Sequence, residues 1–323
     1  MRYLVTGGAG FIGSHLVDKL LHSGYSVTVL DNFSTGRREN LENQFSNPYL
    51  EILEGSILDE DLVERSIQKS DRVFHFAATV GVFNIMNDPI SSLKTNIRGT
   101  ENVLNFCADM DTPVLIASSS EIYGKNTSDS LSEDSDRIIG APQKIRWSYS
   151  DAKAIDESLA ISLHQKRGLE TRIVRLFNTV GPRQVGRYGM VVPRFIEAAL
   201  KSEPLEVYGT GMQTRCFGHV ADIIAAIILL DQSPHAVGVP VNIGISDEIS
   251  ILSLAEKVIK QINSKSLIKK VDYSDAYSSG FEDMQRRVPN NSLLKKLTGW
   301  FPTKKLEDII SDIEIHIRNQ NQI

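Results

Sequence analysis

Short apolar runs alternate with longer stretches of helical periodicity over the first half of the chain. Arg2 to Thr6 reads as a strand. Phe11 to His22 then places Phe11, Ile12, Leu16, Leu20 and Leu21 on one side of a helix that Gly24 stops. Tyr25 to Leu30, Leu50 to Leu53, Arg72 to Phe76, Val114 to Ser118 and Thr171 to Phe177 read as further strands. A helix follows Gly55, a long one runs from Asp88-Pro89 to Met110, and another ends at Gly168. The long helix has a broad apolar face (Ile90, Leu93, Ile97, Val103, Leu104, Phe106) with Asn96 among them, a polar group that needs a partner if buried. This alternation predicts an α/β fold, a Rossmann-type doubly wound parallel sheet.

After Phe177 the alternation weakens. Phe195 to Lys201 reads as helix and Leu205 to Tyr208 as strand. A strand enters the apolar helix before Gln232, Val239 to Gly244 is a strand, and Ser253 to Asn263 and Leu306 to Arg318 are helices. The expected division is a dinucleotide-binding domain over residues 1–177 plus about 214–246, and a smaller C-terminal α/β substrate-binding domain over 178–213 and 247–323.

Gly7, Gly10 and Gly13 lie between the first strand and the first helix, and Asp31 closes the second strand. Glycines there let backbone approach a pyrophosphate at a helix N-terminus, and the acid suits a ribose diol. The same glycines would also serve close helix–strand packing. Asp31 favours NAD over NADP, because a carboxylate repels a 2′-phosphate, while nearby Arg37 is of the type that accommodates one. Ala77 and Ala78, at a strand's C-terminal end, suit either ligand approach or tight packing.

Composition narrows the class further. With 41% apolar and 23% charged residues, net charge −5 and pI about 5.9, the 323 residues lack the basic excess of a nucleic-acid binder. No apolar run is long enough to span a membrane, and the N-terminus enters a strand without a signal-peptide layout. Cys107 and Cys216 fit reduced core thiols in a cytoplasmic protein, and the seven scattered histidines offer no metal spacing.

The candidate chemistry is in YSDAK. Tyr149 and Lys153 share one face of a helix. A lysine ammonium beside a phenol, ordinarily near pKa ~10, favours phenolate. Such a tyrosine takes a hydroxyl proton as hydride leaves the same carbon. The preceding strand ends in Ser118, Ser119 and Ser120, whose hydroxyls reach a substrate oxygen, the phenol or a turn. Glu121 follows, as a second proton-transfer group or a cap.

At these residues the chain resembles the extended short-chain dehydrogenase/reductases, specifically the nucleotide-sugar epimerases, dehydratases and decarboxylases. The resemblance runs nearly end to end, through TGGAGFIG, DNFSTG, HFAA, KTNIRGT, SSSEIYG, YSDAK, RLFNTVGPR, VYGTGMQTRCF and FEDMQRRVP. It implies NAD held by Gly7, Gly10, Phe11, Ile12, Gly13, Asp31, Asn32, Phe33, Ser34, Gly36, Ser56, Ile57, Phe76, Ala77, Ala78, Thr95, Ser118, Tyr149 and Lys153. It implies a nucleotide sugar, a UDP-sugar first, against Lys94, Ser119, Ser120, Glu121, Tyr149, Asn178, Arg194, Tyr208, Arg215 and Arg287. Catalysis would fall to Tyr149, Lys153, Ser119, Glu121 and Arg215. Glu121, Arg146, Arg215 and the C-terminal arginine motif together resemble UDP-glucuronate decarboxylases, with a 4-epimerase, a 4,6-dehydratase or an NAD-sensing regulator as alternatives. Ser56, Asn290 and the stretch Thr79 to Asn87 depart from that pattern. The resemblance also implies a homodimer paired through Pro89 to Met110 and Tyr149 to Arg167.

Overall fold

The computed structural model describes residues 1–186, 189–272 and 284–321, without the side chains of 82–84 and 321. Strands β1 (Arg2–Thr6), β2 (Ser26–Asp31), β3 (Leu50–Glu54), β4 (Arg72–His75), β5 (Val114–Ser119) and β6 (Thr171–Leu176) match the apolar runs to within a residue or two. Between them lie helices α1 (Phe11–His22), α2 (Glu60–Gln68), α3 (Val82–Asn87), α4 (Pro89–Leu93), α5 (Gly99–Asp109) and α6 (Ser148–Arg167). The second half adds β7 (Thr179–Val180), α7 (Val191–Leu200), β8 (Leu205–Tyr208), β9 (Thr214–Cys216), β10 (Gly218–His219) and α8 (Val220–Gln232). It continues with β11 (Pro240–Ile243), β12 (Glu248–Ser250), α9 (Ile251–Ile262), β13 (Ile268–Val271), α10 (Ser292–Thr298) and α11 (Leu306–Asn321).

Seven parallel strands run β11-β6-β5-β4-β1-β2-β3. The order reverses between β1 and β4, and the crevice at that switch point is where such sheets bind ligands. On one face α1 and α8 bury Leu16, Val17, Leu20, Ile223 and Ile227. On the other, α2, α5 and α6 bury Val63, Ile67, Leu104, Cys107 and Ala160. A separate core joins α7, α9 and α11 to β8 through Phe195, Leu205, Leu254 and Ile310. Leu294 and Trp300 pack into the α1/α8 layer, so the C-terminal segment returns to the large sheet before α11.

Local chemistry sets the helix ends. Asp59 Oδ1 accepts the Leu62 N–H at 3.0 Å, and Asp88 Oδ1 accepts that of Ser91 at 3.0 Å ahead of Pro89. Gly168, at φ 76°, ends α6 in the left-handed region. The expected single helix from Asp88-Pro89 to Met110 is interrupted by a π-helical turn over Lys94–Arg98, joining α4 to α5. Such a turn inserts one residue and shifts the face that each following side chain occupies. Buried Asn96, at its centre, accepts the Thr79 N–H at 2.7 Å and donates to the Thr79 carbonyl at 3.1 Å. That is the partner the sequence demanded.

His75, at the end of β4, takes the Thr6 hydroxyl on Nδ1 at 2.7 Å and meets Thr100 Oγ1 through Nε2 at 3.0 Å. Burial pushes it down to about 3, with the Lys153 ammonium adding to the effect. Burial likewise pushes His15 down to about 4. Both rings are neutral in the folded chain, whereas unfolded histidines protonate near ~6.5. Their contribution to stability is full above that value and is lost as pH falls toward the folded values. The melting midpoint of the cofactor-free protein is therefore expected to drop from pH 6.5 toward 4 by scanning calorimetry, and His15→Gln to flatten the drop. A midpoint constant over that window would contradict this.

Candidate active site

One cavity of about 810 Å³ opens at the C-terminal edge of the parallel strands and reaches across to the smaller half. Its size suits a ligand larger than a single small metabolite. The glycine turn lies at one end. Gly7 has φ 70°, and a Cβ there would stand 2.7 Å from the Ala77 backbone nitrogen. A Cβ on Gly13 would stand 2.2 Å from the Gly7 carbonyl oxygen. Side chains are thus excluded where the first turn of α1 must come close to β1 and to a ligand.

Asp31 is fixed beside this turn. Its Oδ2 accepts the Ala9 N–H at 2.9 Å and its Oδ1 the Phe33 N–H at 2.8 Å. Burial raises its carboxyl above the usual range, and the two backbone donors hold it back. Gly36 comes so near that a Cβ would lie 2.9 Å from both carboxylate oxygens. Glycine cradle, helix N-terminus and anchored acid fit the pyrophosphate and ribose of a dinucleotide.

The catalytic candidates form the floor. Tyr149 and Lys153 project from the first turns of α6 and are 8% and 3% exposed. Ser119, at the end of β5, hydrogen-bonds the Tyr149 phenol. The expected pull of the Lys153 cation on that phenol is present, but burial outweighs it, and the phenol lies above its ordinary value. Burial disfavours the Lys153 ammonium, yet Asp156 and Tyr149 leave it above its ordinary value. Beneath them Glu157 grips Arg175 through Nε at 3.0 Å and Nη2 at 2.8 Å, and takes the Ser118 hydroxyl.

Glu121 begins from a state a proton donor does not have. Its Oε2 lies 2.8 Å from Arg146 Nη1, and its Oε1 pairs with Arg287. Burial alone would raise its carboxyl, but Arg287 and Arg146 overcome that and hold it well below the carboxylate range. At neutral pH it is a carboxylate clamped between two cations, and it places both guanidiniums at the cavity wall. Arg287 also donates to Asn178 Oδ1 at 3.0 Å, and Asn178 donates to the Cys216 carbonyl at 3.0 Å. Arg194 stacks over Tyr208 at 4.2 Å and donates to the Glu206 carbonyl at 3.0 Å.

All the expected site residues line this cavity except Phe33 and Lys94. Phe33 turns to support Arg38, whose guanidinium sits 4.3 Å above its ring. Lys94 opens the π turn and is exposed, while the next residue, Thr95, faces the cavity. The sugar contact that the resemblance implies for Lys94 is not among the cavity-lining positions, where Thr95 stands instead. Of the C-terminal motif, Phe281, Glu282 and Asp283 lie outside the described residues. Arg183 was missed. It lines the cavity, pairs with Asp18 at 2.7 Å and reaches Ser14 Oγ at 3.1 Å. The available signal was its place just past the end of β6, at the ligand edge of the sheet.

A doubly wound parallel sheet with a glycine cradle at its switch point, and a tyrosine, lysine and serine meeting in the same crevice, defines a dinucleotide-dependent enzyme of the extended short-chain dehydrogenase/reductase type. A model of the GDP-mannose 4,6-dehydratase family matches residues 4–313, and the chain belongs to that family. It is 41% identical over 308 residues to the UDP-N-acetyl-alpha-D-glucosaminuronate decarboxylase of Bacillus cytotoxicus, covering 95% of this chain and 94% of the relative. It is 36% identical over 327 residues to UDP-glucuronic acid decarboxylase 1 of Arabidopsis thaliana, covering 100% of this chain and 72% of the relative. A solved UDP-glucuronic acid 4-epimerase from Bacillus cereus, in complex with UDP-glucuronic acid and NAD, superposes with TM-score 0.89 at 27% identity, covering 99% and 100%.

Proposed function

We propose that this enzyme is an NAD-dependent UDP-hexuronate decarboxylase that works through a transient 4-keto sugar, with UDP-glucuronate as substrate and UDP-xylose as product. The observation that carries this reading is the charge of the cavity's substrate half. Arg146, Arg194, Arg215 and Arg287 line it against Glu121. That excess of guanidinium suits a diphosphate together with a second anion, the sugar carboxylate. The decarboxylase relatives, one acting on UDP-N-acetyl-glucosaminuronate and one on UDP-glucuronic acid, support decarboxylation of a UDP-hexuronate.

NAD, held by the glycine cradle and Asp31, supplies a reversible hydride acceptor, so the cycle is redox-neutral. Tyr149 takes the proton of the C4 hydroxyl, and Lys153 keeps a positive charge next to the phenol. Ser119 hydrogen-bonds the same oxygens. Once C4 is a carbonyl, the C6 carboxylate leaves as carbon dioxide, with Ser119 and Tyr149 stabilising the enolate oxygen; C5 then takes a proton from water, and the return of hydride and of the Tyr149 proton restores the C4 hydroxyl. Arg215, 8% exposed at the cavity wall, would orient the carboxylate together with Arg287.

Incubation with NAD and a panel of UDP-glucuronate, its 2-acetamido analogue, UDP-glucose and GDP-mannose, read by mass spectrometry, tests this. The expected product is a UDP-pentose lighter by carbon dioxide, and Glu121→Ala is expected to abolish it. An unchanged mass with inverted C4 would make the enzyme an epimerase, and loss of water a 4,6-dehydratase.

The assembly we propose is a homodimer through α4, α5 and α6, on which Ile90 and Ile155 are 80% and 48% exposed. Light scattering at a single protomer mass would exclude it. We place the protein in the cytoplasm, on the strength of two free, buried cysteines. No helix among the described residues is long and apolar enough to cross a membrane.

A further inference from the structure

We infer that Asp156 is a positioning residue for the catalytic pair: its buried carboxylate keeps the Lys153 amine charged and fixed beside Tyr149. The inference rests on the reading of Tyr149 and Lys153 as the acid–base pair. Lys153 and Asp156 are 3% and 2% exposed, and Lys153 Nζ lies 3.1 Å from Asp156 Oδ2. An amine buried this deeply without a counter-charge gives up its proton several units early, by about 3–5 at the extreme. The neighbouring carboxylates are committed elsewhere. Glu157, the next residue of α6, is held by Arg175 of β6 and by Ser118. Glu121, after β5, is held by Arg146 and Arg287. His75, facing from β4, is kept neutral by burial and adds no charge. Among the described residues Asp156 is the acid within ion-pair distance of the Lys153 amine.

Asp156 is itself anchored. Thr100 Oγ1, on α5, lies 3.3 Å from the same Oδ2 and donates to the Asn96 carbonyl at 2.6 Å. Asn96 holds Thr79, which lines the cavity. A continuous set of polar contacts, passing through the Asn96 and Thr79 backbone, therefore runs from the Lys153 amine through the π turn to the cavity wall. It leaves the lysine side chain no need to search for a partner when ligands arrive. The charge balance agrees. Burial pulls Lys153 down, and Asp156 is the largest of the influences that reverse it.

The test uses NAD-bound enzyme with Asp156→Asn, and Asp156→Ser should the amide fail to fold. We expect kcat to fall at least about tenfold at pH 8 with KM for the nucleotide sugar little changed, because acid–base help is weakened while binding is not. The alkaline limb of kcat is expected to move down by about one unit or more, as the unpaired amine loses its proton. Asp156→Glu should restore part of both. A second readout needs no substrate: tyrosinate absorbance of each protein minus that of its Tyr149→Phe counterpart isolates the Tyr149 phenol. In Asp156→Asn this phenol should ionise at higher pH. An unmoved limb and unmoved titration, even with a lower kcat, overturn the inference. So does a phenol that ionises at lower pH, since Asp156 would then only oppose the phenolate. If the wild-type enzyme turns over no UDP-hexuronate, the functional reading fails, and the titration still decides this one.

Discussion

Tyr149→Phe is expected to lower kcat by about 10²–10⁴ while leaving the fold intact. The ring is 8% exposed, and phenylalanine keeps its volume and packing. The hydrogen bond with Ser119 is lost, at a stability cost of about 1 kcal/mol. The hydroxyl matters far more to the reaction. Among the groups at the cavity floor, the phenol combines a burial-raised affinity for its proton, a serine partner and a neighbouring ammonium. With substrate in place the ionised phenol takes the C4 hydroxyl proton, and the phenol so formed passes it back in the return step. Turnover assays with NAD-binding titrations decide the matter; a loss of less than about tenfold would remove Tyr149 from proton transfer.

The largest effect on stability is expected at Glu157→Gln. Arg175 is 8% exposed, and Glu157 binds it through two nitrogens, while Arg175 also donates to the Tyr123 hydroxyl at 2.8 Å and the Glu133 carbonyl at 2.7 Å. An arginine does not shed its proton on losing its partner. The variant strands a buried guanidinium, and breaking such a pair costs about 3–5 kcal/mol. The melting midpoint should fall by several degrees at fixed NAD concentration, since bound cofactor shifts it independently. A midpoint within a degree or so of the wild type would show that water reaches Arg175 freely. Replacing Glu157 and Arg175 together by leucine and methionine should recover much of the loss.

The parts of this site that were legible in the sequence are those whose signals are local. Gly7, Gly10, Gly13 and Asp31 belong to one strand–helix–strand unit, and Tyr149 and Lys153 to one helix turn. Apolar period and turn chemistry place such residues without knowledge of distant contacts. The rest depends on chain segments far apart. Glu121 reads as a proton-transfer group until Arg287 is brought to it from the C-terminal segment. Asp156 reads as one more polar position on α6 until Lys153 is found turned toward it. The π turn at Lys94–Arg98 was unread for a different reason: it leaves no mark in hydrophobic periodicity. Helix α10 was also unread, because SLLKKLT is too short to show a period.

The central claim is that the cavity removes the sugar's C6 carboxylate after oxidation at C4. UDP-glucuronate labelled with carbon-13 at C6 only, incubated with the NAD-bound enzyme, measures this most directly. The account predicts stoichiometric labelled carbon dioxide and an unlabelled UDP-pentose, both abolished in Tyr149→Phe. A label retained in a UDP-hexuronate of altered C4 configuration would contradict it.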